Sequence, residues 1–119
     1  MTFIKSTAAA SRLQLLPSTT AASTAAAPLP VPAATIDQVV LNRVLTAAQT
    51  DFLFSANQAG RALLYTLVND AASTAVLTVS AATGETLTHP TQGTALTLTL
   101  NPGETITLEN KSNTAWVFI

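Results

Sequence analysis

Leucine alternates with threonine along Leu96-Thr97-Leu98-Thr99-Leu100, pauses at Asn101-Pro102-Gly103-Glu104, and the alternation resumes along Thr105-Ile106-Thr107-Leu108-Glu109. A period of two places Leu96, Leu98, Leu100, Ile106 and Leu108 on one face of an extended chain and the threonines on the other. Between the runs, proline presets φ at the first central position of a turn. Glycine accepts the positive φ that a type II turn demands at the second. A further break, Asn110-Lys111-Ser112-Asn113, leads into Ala115-Trp116-Val117-Phe118-Ile119. The last quarter of the chain therefore reads as three consecutive antiparallel strands.

The preceding residues extend that reading. Ile36 to Leu45 suits a strand or a helix, because Ile36, Val40 and Val44 also recur every four residues; its β-branched content favours the strand. Asp51 to Ser55 follows, and Asn57-Gln58-Ala59-Gly60 forms a turn. Leu63 to Val68 is a nearly unbroken apolar run of the kind that is covered on both faces. Ala75 to Val79 and Thr86 to Thr88 add two more short strands, separated by Ala82-Thr83-Gly84-Glu85. Seven or eight short strands punctuated by glycine, proline and asparagine predict an all-β fold, an antiparallel β-sandwich or small jelly-roll-like barrel spanning residues 36–119.

Residues 1–35 have a different composition. Alanine, serine and threonine dominate, and Pro28-Leu29-Pro30-Val31-Pro32 favours extended backbone over helix or central strand. With too few large apolar residues to form a core, this stretch is expected to be an extended arm that is mobile in the free protein and lies on a neighbouring subunit in an assembly. Only 9% of the 119 residues are charged and the net charge is −1, so threonine, serine, asparagine and glutamine must supply the polar surface. Such an exterior suits a protein packed in an assembly, and equally a small uncharged secreted domain.

Several function classes lose support. There is no cysteine, which excludes disulfides and thiolate metal sites. No apolar run approaches the roughly 18 residues that span a bilayer. Arg12 and the serines and threonines interrupt any signal-peptide core, so a cytoplasmically made protein outside the general export route is expected. Five scattered basic residues give no electrostatic footprint for nucleic acid. The single histidine, His89, has no partner at ligand spacing, whereas zinc sites need three or four ligands. Asp37, Asp51, Asp70, Glu85, Glu104 and Glu109 are isolated in sequence. A glycosidase pair among them would require a meeting in space. Gly60, Gly84, Gly93 and Gly103 are too dispersed to cradle a phosphate. Phe52, Phe54, Tyr65, Trp116 and Phe118 lie in expected strands, Phe52 with Phe54 and Trp116 with Phe118 on shared faces. They are core material first, and a sugar-binding row if exposed. No catalytic, cofactor-binding or metal residue is expected, and no enzymatic activity.

The run Leu98 to Leu108, the short polar turn and the terminal Trp116-Val117-Phe118-Ile119 resemble the closing strands of small β domains in tailed-bacteriophage virion proteins, such as capsid decoration (cement), head-fibre and adaptor proteins. Val76-Leu77-Thr78-Val79 with Gly84 shares that style, and the resemblance covers about residues 50–119. It implies a virion location and a structural, non-enzymatic role. It also implies partners among neighbouring subunits (a major capsid protein or further copies) and frequent trimers. A carbohydrate- or receptor-binding β module of a fibre or cell-surface protein is the alternative.

Overall fold

The computed structural model describes residues 12–89, 91 and 93–119. These form ten strands in two sheets and, among the described residues, no helix. The first strands are β1 (Leu13–Leu16), β2 (Gln38–Arg43), β3 (Gln49–Phe52), β4 (Leu64–Asn69) and β5 (Leu77–Ser80). Alternation works as the sequence suggests: in β2, Val39, Leu41 and Arg43 turn inward, while Gln38, Val40 and Asn42 are half-buried on the other face. β2 is a strand throughout, which resolves the ambiguity between Ile36 and Leu45.

The chain coils instead of folding back. β1 pairs parallel with β2, β2 with β4, and β3 with β5 in the second sheet. Two successive circuits contribute one strand to each sheet, β2 and β3 and then β4 and β5. Leu13 lies opposite Gln38, Gln38 opposite Leu64 and Gln49 opposite Leu77, a step of about 25–28 residues per circuit. Corners of successive circuits stack: Asp70 N–H donates to Arg43 O (2.8 Å) and Thr74 N–H to Leu45 O (2.8 Å). This winding is that of a short β-solenoid, and it corrects the expected antiparallel sandwich or jelly roll. The physical reason lies in the links. Residues 44–48 contain no two-residue hairpin turn, and parallel strands are joined by crossovers instead.

The remaining strands are β6 (Thr86–His89), β7 (Gly93–Ala95), β8 (Thr97–Leu100), β9 (Thr105–Glu109) and β10 (Ala115–Phe118). They close the structure with mostly antiparallel pairs, giving sheet orders β1-β2-β4-β9-β10-β6-β7 and β3-β5-β8. Of the three strands expected after Leu96, β9 and β10 pair antiparallel as read. β8 does not join them. It pairs with β5, so the Pro102-Gly103 turn carries the chain from one sheet to the other. Asn69 explains the switch. Its side-chain amide donates to Leu100 O (2.9 Å), while its backbone accepts from Gly103 N–H and donates to Glu104 O.

The turn itself is as read. Glu104 N–H donates to Asn101 O (3.0 Å), and Gly103 has φ +89°. A Cβ added there meets nothing within 4 Å, so only the backbone conformation penalises substitution. Gly103→Val is therefore expected to cost about 1–3 kcal/mol. Chemical denaturation checks this, and an unchanged unfolding midpoint removes the turn assignment.

A single apolar cluster spans both sheets, drawing Leu41, Tyr65, Leu67, Leu108 and Trp116 from the larger and Leu77, Val79 and Leu100 from the smaller. Leu29 belongs to it at 1% exposure, and its N–H donates to Phe52 O (2.8 Å). The boundary expected after residue 35 is thus absent from the described chain. β1 is a strand of the larger sheet, and residues between 18 and 29 are bonded to Arg43 of β2 and to Asp51 and Phe52 at the end of β3. The stretch cannot fold alone, yet it needs no core of its own when it adds to one. Residues 1–11 of the expected arm lie outside the described residues.

Candidate functional site

The strongest polar cluster lies between the sheets. Arg43 continues the inward row of Val39 and Leu41, and Asp51 faces it from β3; both side chains are buried. Arg43 Nε donates to Asp51 Oδ2 (2.8 Å) and Nη2 to Oδ1 (2.9 Å), a bidentate fork. The remaining guanidinium hydrogens reach the carbonyls of Ser18, Thr20 and Ala21. Asp51 Oδ1 also accepts from Ser23 Oγ–H and Gln49 Nε2–H. Ser23 Oγ in turn accepts from Phe52 N–H at 2.6 Å. Every strong donor and acceptor of the pair is matched within the chain. The cluster therefore fastens residues 18–23 to the coil, and its charges are already committed to that contact.

The other carboxylates are similarly employed. Glu85, buried, accepts from Ala56 N–H (2.8 Å) and Ser55 Oγ–H. Glu104 accepts from Asn101 N–H (2.7 Å) within its own turn. Asp70 accepts from Ala72 N–H and Asn42 Nδ2–H, and these bonds, the backbone one first, hold its carboxyl below the usual range. Glu109 faces Lys111 at 3.7 Å on the surface. Asp37 precedes β2 with its backbone bonded to Arg12 and Leu64. None of these bonds joins two carboxylates. Among the described residues no group of three or more His, Cys, Asp or Glu could hold a metal ion, and no helix is long and apolar enough to cross a membrane. His89, at the end of β6, packs edge-on against Phe118 at 5.1 Å and accepts from Thr91 N–H through Nδ1.

The aromatic residues pack inward. Phe54, Tyr65 and Trp116 meet edge to face at 5.3–6.4 Å and are fully buried. Phe52 and Phe118 are half-buried. Phe52 and Phe54 do not share a face as expected, because β3 ends at Phe52 and the chain bends to bury Leu53 and Phe54 together. Among the described residues, therefore, no row of rings is displayed for a sugar. The Tyr65 hydroxyl is buried without a hydrogen-bond partner, and burial, reinforced by Asp51 and opposed by Arg43, pushes its pKa up.

Two kinds of open surface remain: a polar hollow lined by Asn57, Arg61, Asn110, Lys111, Ser112 and Asn113, and a mixed trough on another part of the surface. The trough runs beside β8, lined by Leu98, Phe118, His89 and Ile106, with Glu104 at one end and Ala95 of β7 at the other. Leu13 (47% exposed) and Leu15 (70%) project from the outer face of edge strand β1. The reading by residue type missed the Arg43–Asp51 cluster, although the signal was present: a period of two from Val39 places Arg43 on the buried face. Comparison with protein families, with curated proteins and with solved structures finds no match to this chain.

Proposed function

We propose that this chain is a non-enzymatic structural subunit of an assembly, of the virion decoration or adaptor type, which packs against neighbouring subunits through the outer face of its larger sheet. The observation that carries the reading is the make-up of that face. By register, one row across it is Leu15, Val40, Thr66 and Thr107, and the next is Leu13, Gln38, Leu64, Glu109 and Val117. Only Glu109 in these rows is charged. The threonines are already satisfied in part, since the hydroxyls of Thr66 and Thr107 bond each other at 2.9 Å. A soluble domain ordinarily dresses such a surface with lysine and glutamate, and guards its edge strand with charge or proline. β1, Leu-Gln-Leu-Leu, carries neither. The partners are further copies of the chain, with a trimer favoured, or the subunits of a shell.

Sedimentation velocity over a range of concentrations tests the association. Leu15→Lys is expected to weaken it at least tenfold, since burial of one leucine contributes about 1.5–3 kcal/mol. Fold stability should change by no more than about 0.5 kcal/mol, because the side chain is exposed. The particle assignment is tested separately, by density-gradient fractionation of lysates in which the protein is made. Recovery only among free proteins removes it.

A further inference from the structure

The polar hollow sits where two neighbouring strands of the larger sheet meet their loops. β4 begins at Leu64 and β9 ends at Glu109, and the two residues lie opposite each other. Asn110, the next residue, is buried and ties the two loops together. Its Oδ1 accepts from Leu63 N–H (2.6 Å), and its Nδ2 donates to Ala56 O and Arg61 O (both 2.9 Å). The turn at 110–113 and the loop at 56–63 are therefore fixed relative to each other by the fold itself. They enclose about 210 Å³. Pockets for drug-sized ligands begin near about 300 Å³, so the occupant that fits here is one small chemical group.

Two cations, Arg61 and Lys111, line the hollow, and no carboxylate does. Arg61 Nη2 donates to Ala33 O (2.8 Å) and Ile36 O (2.7 Å), and Nη1 donates to Ala59 O (3.4 Å). Carbonyls accept these hydrogens without cancelling the charge. One Nη1 hydrogen and the buried Nε–H have no acceptor among the described residues. The ion pairs among those residues are Arg43–Asp51 and Lys111–Glu109, so Arg61 is paired with no carboxylate. Asp37 adjoins Ile36 in sequence yet pairs with neither cation. Residues 1–11 offer no counter-charge, since they contain neither aspartate nor glutamate. Lys111 is 63% exposed and stands 3.7 Å from Glu109, a loose surface contact that a better partner can displace. The backbone N–H groups of Ser112 and Asn113 also have no acceptor among the described residues. A lining rich in donors, with positive charge and no acid, suits an anion that carries several oxygens. Phosphate presents three strong acceptor oxygens and more charge than a carboxylate. The cradle here is made of side chains and a polar turn, not of a glycine-rich loop.

We propose that the hollow between the 56–61 loop and the 110–113 turn binds a phosphate group, free or carried on a sugar, through the Arg61 guanidinium, the Lys111 ammonium and the Ser112–Asn113 turn. The site is independent of the assembly reading, and either can fail without the other. Inorganic phosphate is titrated into the isotope-labelled full-length chain and followed by NMR. The amide resonances of Lys111, Ser112 and Asn113 and the side-chain resonance of Arg61 are expected to shift together and saturate. Lys111→Gln retains the fold, because the side chain is exposed, and should weaken binding about tenfold. Arg61→Lys keeps the charge but loses the planar fork, and the same loss is expected where circular dichroism shows the fold unchanged. Lys5→Gln removes an equal charge from a residue that the proposal does not use, and should alter the affinity by less than about twofold. Equal weakening by Lys5→Gln, or shifts that scatter over the surface without saturating, overturns the site and leaves net charge as the cause. Acetate is expected to bind more weakly than phosphate, and acetate binding as tightly overturns the assignment to phosphate. A hexose monophosphate titrated in parallel separates the sources. Affinity no greater than that of inorganic phosphate assigns the free ion, and tighter binding assigns a group borne on a sugar.

Discussion

Replacing Arg43 by alanine is expected to destabilise the fold by about 3–5 kcal/mol, the usual consequence of leaving one member of a buried ion pair behind. Asp51 is fully buried and would keep only Ser23 and Gln49 as donors. The carbonyls of Ser18, Thr20 and Ala21 would lose theirs as well. For a chain of this length, such a loss lowers the melting temperature by something on the order of 10–20 °C. The effect should also be directional. Residues 18–23 are held largely by this side chain, so limited proteolysis is expected to cut there before the rest of the coil opens. Arg43→Met combined with Asp51→Leu should recover part of the stability, because the stranded charge is gone, while leaving the three carbonyls unserved. A melting temperature for Arg43→Ala within a degree or two of the unaltered chain would show that the pair contributes nothing net. The fastening role assigned to it would then fail.

That cluster also shows why some of the fold was legible in the sequence and some was not. Alternation is a local property of the chain, and it read correctly for β2, β9 and β10 and for the buried side chains of Leu100, Ile106 and Leu108. The turn at Gly103 was likewise local and was found. Pairing is not local. Whether a strand returns beside its predecessor or crosses to the other sheet depends on how corners stack, here through Arg43, Leu45, Asp70 and Thr74, residues far apart in sequence. The alternation of Leu-Thr-Leu-Thr is the same in either case. Residues 12–35 escaped for a related reason. Their affiliation comes from backbone groups bonded to β2, β3 and Arg43 and from one buried leucine, Leu29, and composition records none of these bonds. The candidate contact surfaces were legible only as a shortage of charge, which indicates packing without indicating where.

Trp116→Ala is expected to cost about 3–5 kcal/mol, comparable to the Arg43 variant but by a different route. The indole is fully buried on the inner face of β10 and meets Phe54 at 5.3 Å and Tyr65 at 6.4 Å, both edge to face. Truncation removes two of the three ring contacts in the cluster and opens a cavity beneath the middle of the larger sheet, where collapse is limited by the hydrogen-bonded ladders around it. It also strands Phe54 O, which accepts from Trp116 Nε1–H at 3.3 Å. Trp116→Phe separates the two losses. It keeps most of the packing and removes the donor, so its cost should be smaller, about 1–3 kcal/mol. Because this is the only tryptophan, its fluorescence reports the same environment without substitution. Emission in the folded protein should be blue-shifted and poorly quenched by acrylamide, shifting to the red as denaturant unfolds the chain. Red-shifted emission in the native state, perturbed by added oligosaccharide, would instead place the ring at the surface. It would revive the sugar-binding alternative that the buried Phe54–Tyr65–Trp116 cluster now disfavours.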